Sequence, residues 1–203
     1  NQRLCGIIEE WIAQLNPDEG AKLHFVGELL LQAGYHADAY SVLQEALQKV
    51  GGIERKKTRL GLLSAASGLP VKDHGESIIE AIIKDASEDR DFETAAFACW
   101  LVGILKRESD NLVMAHQYCD KGLAFAAEGG PSSKWIAARL YNLRGMLYKA
   151  SRKYKKAEVF VKKAMELSRA LKKEADFAVN QANLGGIYLQ EGSTIGIDLE
   201  RIQ

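Results

Sequence analysis

Apolar residues recur along this chain at three- and four-residue spacing, the period of a helix with one buried face. Ile7, Ile8, Trp11, Ile12 and Leu15 predict a leading helix over 3–15, within a first segment of residues 1–16. Asn16 followed by Pro17 reads as an N-cap and a proline at the first helical position, with Asp18 and Glu19 suiting the positive helix end. Paired helices are then predicted over 17–33 and 37–50, with Gly34 and Gly51-Gly52 as stops. The next pair is less regular: 54–67, a turn at Gly68-Leu69-Pro70, and a helix marked by Ile78, Ile79, Ala81, Ile82 and Ile83. Further helices are expected over 91–107, 111–128 (closed by Gly129-Gly130-Pro131), from a cap at Ser132 or Ser133 to 150, over 154–172, and over 175–190, ending at Gly192. The repetitive region therefore covers 17–192, and 193–203 reads as an irregular C-terminal segment, with Ile197 where a small residue is expected.

Inside this pattern a glycine returns at a nearly fixed interval. Gly27, Gly61, Gly103, Gly145 and Gly185 are 34, 42, 42 and 40 residues apart. Small residues follow three of them, 12 positions on at Ala39, Ala115 and Ala157, and 19 positions on at Ala46, Gly122 and Ala164. A glycine inside a helix costs about 1 kcal/mol against alanine, so its recurrence demands a packing reason. The simplest is a close crossing of two helices, glycine against alanine. Repeated hairpins that cannot bury their apolar faces alone stack on their neighbours. The fold class expected is all-α, a solenoid of about four to five antiparallel helix pairs.

Composition narrows the function. The chain has 203 residues, of which 47% are hydrophobic, enough for a continuous core. No run of about 18 uncharged apolar residues exists, so no membrane span is expected. The N-terminus does not read as a signal peptide, and the absence of an initiator methionine suggests a piece of a longer chain. Cys5, Cys99 and Cys119 are odd in number and lack metal-ligand spacing, so reduced thiols and a cytoplasmic setting are expected. His24, His36, His74 and His116 fall in separate elements, with no metal-ligand spacing. There is no phosphate loop after a strand and no nucleophile elbow, so neither catalysis, nor a metal, nor a cofactor is expected. Net charge is zero, but residues 131–175 carry +10, against −4, −3 and −3 for 1–52, 53–130 and 176–203. The densest run, Lys149 to Lys156, has five cations in eight residues; without a stacking platform beside it, it reads first as solvated surface. An acidic protein partner is the next reading, and a nucleic acid is not expected.

The register residues resemble the tetratricopeptide repeat family. The clearest matches are Tyr141, Gly145, Tyr148, Tyr154, Ala157, Val161 and Ala164, continued by Leu184, Gly185 and Tyr188. Leu23, Gly27, Leu30, Gly34, Ala39, Leu43, Ala46 and Leu47 match in the first unit, and Gly103, Ala115 and Gly122 in the third, where Lys106 stands in place of the usual tyrosine. The 40–42-residue intervals are similar to those of a longer-helix subgroup that includes LGN, kinesin light chain and the repeats attached to signalling ATPases. The resemblance implies a right-handed superhelix whose first helices line a concave groove that binds peptides. Groove positions implied by it are Ala21, His24, Glu28 and Leu31; Phe97, Trp100, Ile104 and Arg107; Arg139, Asn142, Met146 and Lys149; and Val179, Ala182, Gly186 and Leu189. The carboxylate clamp of chaperone-binding members is not supported, because His24 and Glu28 occupy its places.

The leading candidate site is Phe97, Trp100, Ile104, Arg107, Arg139, Asn142, Met146 and Lys149. Aromatic residues and arginine dominate interface energies, Asn142 can bond a peptide backbone, and Arg107 and Arg139 can fork onto a carboxylate. The alternative is that the rings pack between hairpins and the arginines are solvated. The function expected is a non-catalytic scaffold for protein–protein interaction. Its alternative is a regulatory or sensor segment of a larger signalling ATPase or transcription regulator, binding a ligand or its own other domains. Self-association through residues 193–203 is a third expectation.

Overall fold

A computed structural model of the chain describes residues 18–69 and 75–200, with side chains to residue 192, and every regular element among them is helical. The leading helix expected over 3–15 and the Asn16–Pro17 cap lie outside the described residues. The chain divides into two units, 1–82 and 83–203.

In the first unit, α1 (Glu19–Gln32) and α2 (His36–Lys49) form a hairpin, followed by α3 (Gly52–Ser67) and the first part of α4 (Gly75–Glu88). The cap of α1 is Asp18, whose carboxylate accepts from Ala21 N–H at 2.7 Å. Gly34, at φ 82°, ends α1, and Tyr35 N–H returns to Leu30 C=O at 2.9 Å. Ala39, Leu43, Ala46, Leu62, Leu63, Ala65, Ala66 and Ile79 are buried. Ala81, expected in the apolar pattern, is exposed, because the buried stripe of α4 runs through Ile79, Ile82, Ile83 and Ala86 instead.

The second unit is more regular. α5 (Phe92–Glu108), α6 (Leu112–Glu128), α7 (Lys134–Ala150) and α8 (Tyr154–Ala170) each span 17 residues, and the second pair starts 42 residues after the first. A 3-10 turn at Gly130–Ser133 joins the pairs, and α9 (Glu174–Glu200) follows. Ser133 does not cap α7 with its side chain, because the 3-10 turn already leads the backbone into the helix. The stop expected at Gly192 is absent: α9 runs through it for 27 residues. A glycine ends a helix by taking the left-handed conformation, and Gly192 does not take it.

The same turn closes α4, α5, α7 and α8. Residues Arg90, Asp110, Arg152 and Lys172 sit at φ between 55° and 59°. After each, the next amide reaches back five residues, as Asn111 N–H does to Lys106 C=O at 2.8 Å and Lys153 N–H to Tyr148 C=O at 2.9 Å.

The glycine register has a packing cause: a Cβ at Gly145 would face Ala157 C=O at 3.1 Å and one at Gly103 would face Ala115 C=O at 3.7 Å, the glycine-on-alanine approach expected, and branched side chains fill the same gap. A Cβ at Gly145 would lie 2.5 Å from Val161 Cγ2, and one at Gly103 would lie 2.8 Å from Leu143 Cδ2. At Gly27 it would overlap Leu43. The residue inserted is a branched one, Leu43 or Val161, four positions after the fully buried Ala39 or Ala157. The alanine lets the backbones approach, and the next turn supplies the knob. Gly185 has no neighbour within 4 Å of such a Cβ.

Candidate functional site

On α5 the spacing of Phe97, Trp100, Ile104 and Arg107 places them on one helical face, and on α7 the same spacing aligns Arg139, Asn142, Met146 and Lys149. All eight are half-buried. Phe97 stacks on Trp100 at 5.4 Å between centroids, and Trp135 of α7 leans on Phe97 at 5.6 Å. Arg139 lies between the two indoles, its Cζ 5.2 Å from the Trp100 centroid and 5.3 Å from that of Trp135. Such contacts contribute about 0.5–2 kcal/mol each, more as water is excluded. The Trp135 Nε1–H donates to Glu93 Oε1 at 2.6 Å, which fixes the outer wall of this stack.

Two of the polar groups expected to face a ligand already have partners on α9. Arg139 Nη2 meets Asp176 Oδ1 at 3.3 Å, with side-chain exposures of 36% and 24%. Asn142 Oδ1 accepts from Asn183 Nδ2 at 3.0 Å. Met146 packs against the cluster of Ala157, Val161 and Ile187, and Ile104 against that of Leu140, Leu143 and Leu147, so both serve the core as well as the surface. Lys149 extends toward α9, where a Cβ at Gly186 would lie 2.9 Å from its Nζ. Val179 and Leu189 of α9 are 55% and 75% exposed.

Trp135, Glu93, Asp176 and Asn183 were not in the expected set. Glu93 and Trp135 are 42 residues apart, the repeat interval itself, so carrying the period to the helix starts would have paired them. Asp176 and Asn183 lie 37 and 41 residues beyond Arg139 and Asn142, near that same interval.

Beside the basic run of Lys149 to Lys156, where no stacking platform was expected, a row of rings packs together, and of that run Lys156 lies over one of them. Tyr148 stacks on Phe160 at 5.4 Å, Phe160 on Tyr141 at 6.2 Å, and His116 tilts onto Tyr148 at 4.9 Å. Lys163 sits 4.2 Å from the Tyr141 centroid, Arg144 5.3 Å from Phe160, and Lys156 5.8 Å from Tyr148. Arg144 also pairs with Asp120 of α6. These rings are half-buried and stack on one another, so they cushion the protein's own cations. Burial, then the nearby Arg144 charge, lowers the pKa of His116 below that of an ordinary imidazole.

Cys99 and Cys119 are buried free thiols, and desolvation pushes each up to about 12, far from a reactive thiolate. His24 and His116 are engaged separately, with Thr58 and Tyr148, and His74 lies outside the described residues. Among the described residues no group of three or more His, Cys, Asp or Glu could hold a metal ion. Among them, too, no helix is long and apolar enough to cross a membrane.

No protein-family model matches the chain, and no curated protein matches it. Among solved structures it is similar to the crystal structure of BtubC (BKLC) from P. vanneervenii, with a TM-score of 0.69 at 20% identity, over 91% of this chain and 80% of that one. At that identity the likeness speaks to the fold alone, and the fold is all-α.

Proposed function

We propose that this chain is a non-catalytic, tetratricopeptide-like solenoid that captures a segment of another protein on the face formed by α5, α7 and α9. The observation that carries the reading is the half-buried stack of Phe97, Trp100, Arg139 and Trp135. It combines the two residue types that most often dominate interface energies, already locked in one geometry. Asp176 holds the Arg139 guanidinium ready, and an incoming carboxylate competes for the same fork. The exposed Val179 and Leu189 continue the face with apolar surface. Buried, unreactive thiols at Cys99 and Cys119 support a cytoplasmic location.

The test is binding of fluorescent acidic peptides with a free C-terminal carboxylate, compared between the native chain and a Trp100→Ala, Arg139→Glu double variant. The expected result is an affinity loss of about a thousandfold, since two anchors at about 2 kcal/mol each are removed, with unchanged helicity by circular dichroism. Equal affinity in the two proteins removes this face as the site.

A further inference from the structure

The first unit carries its own open groove, separate from the aromatic face of α5 and α7. Its volume is about 560 Å³, and its lining includes His24, Glu28 and Leu31 of α1 and Lys57, Gly61 and Ser64 of α3. The charge in it is not balanced. Lys57 Nζ is held 2.7 Å from Glu54 Oε1, so that cation is already neutralised. Glu28 makes no hydrogen bond or ion pair among the described residues, and its carboxylate lies against the backbone of Gly61, where a Cβ would stand 2.7 Å from Oε1.

His24 adds an acceptor. The single hydroxyl proton of buried Thr58 goes to Glu54 C=O at 2.8 Å, so the Thr58 oxygen receives the Nδ1–H of His24 across 3.2 Å. In the neutral ring this hydrogen bond places the proton on Nδ1 and the lone pair on Nε2. The groove thus offers one unneutralised carboxylate, one imidazole acceptor and the apolar side of Leu31.

We propose that this groove binds a basic side chain, lysine or arginine, of a protein segment. The ammonium or guanidinium meets Glu28, with His24 Nε2 as second acceptor, and the methylene stem lies along Leu31. The site is independent of the α5–α7 face, so either can fail without the other.

The experiment is an amide NMR titration of the full chain with N-acetyl-lysine amide, N-acetyl-norleucine amide and N-acetyl-glutamate amide. The lysine probe is expected to shift the Gly61 and His24 signals saturably, and the other two are not. Glu28→Gln should weaken the lysine probe about tenfold, and Gly61→Ala, which displaces the carboxylate, should weaken it as well. The Trp100→Ala, Arg139→Glu double change should leave it untouched. Equal response to norleucine or glutamate, no response to lysine, or an undiminished response in Glu28→Gln overturns the proposal.

Discussion

Gly145 and Gly185 hold the same place in the repeat, yet only one of them is needed there. At Gly145 a methyl group would meet Val161 Cγ2 at 2.5 Å and Ala157 C=O at 3.1 Å, so Gly145→Ala must move α8 away from α7. The expected cost is about 1–3 kcal/mol, the usual range for overpacking. At Gly185 nothing lies within 4 Å, so Gly185→Ala should gain up to about 1 kcal/mol from helix propensity alone. Thermal melts of the two variants check this directly, and a shift of the same sign in both would contradict it. His116 gives a second test at this scale. Its folded ring resists protonation, whereas the unfolded ring takes up a proton near the ordinary imidazole value of about 6.5. Its contribution to stability is therefore present above that value and is lost as pH falls through it toward the lower folded pKa. Urea unfolding at pH 7.5 and 5 should show a smaller loss on acidification in His116→Gln than in the native chain.

Element boundaries were legible where glycine or a capping side chain marked them and obscure where the backbone took an uncommon conformation without one. Gly34 reads as a stop and is one. Arg90, Asp110, Arg152 and Lys172 do the same work at positive φ, and no side-chain rule announces an arginine or lysine there. Each is held by the two backbone bonds that close the turn, as Arg152 is by Arg152 N–H to Lys149 C=O and Lys153 N–H to Tyr148 C=O, both 2.9 Å. The left-handed conformation costs a residue with a Cβ about 1–2 kcal/mol. Arg152→Gly recovers part of this, so its midpoint in urea should rise by the equivalent of about 1 kcal/mol; an unchanged or lower midpoint would show that the arginine has a compensating contact. Gly192 failed in the opposite sense, since a glycine without the left-handed turn lets α9 continue.

At the scale of the molecule, the fold class and helix pairing followed from the apolar period and the glycine register. The site followed only in part. Phe97, Trp100 and Arg139 do meet, but their counterparts Trp135, Glu93, Asp176 and Asn183 come from neighbouring helices, and helical spacing within one element says nothing about them. Charge shows the same dependence on contacts distant in sequence. Residues 131–175 carry +10, and Asp120, Asp176 and Glu191, which pair with Arg144, Arg139 and Lys155, all lie outside that segment. Such surface pairs contribute at most about 1 kcal/mol each, while the surplus cations repel one another. Added salt should therefore raise the stability of the second unit by less than about 1 kcal/mol, read from Trp100 and Trp135 fluorescence in urea at low and high sodium chloride. A fall with salt would show the pairs outweighing the repulsion.

The equality of α5–α6 and α7–α8, in length, turn and 42-residue offset, bears on how such a chain can change over generations. Each hairpin ends on the surface that the following one begins by covering. The joints between them differ, since α6 passes to α7 through the 3-10 turn at Gly130–Ser133 and α8 passes to α9 through the left-handed turn at Lys172. A gain or loss of one whole hairpin would therefore keep the fold within each module and would have to rebuild the connection between them.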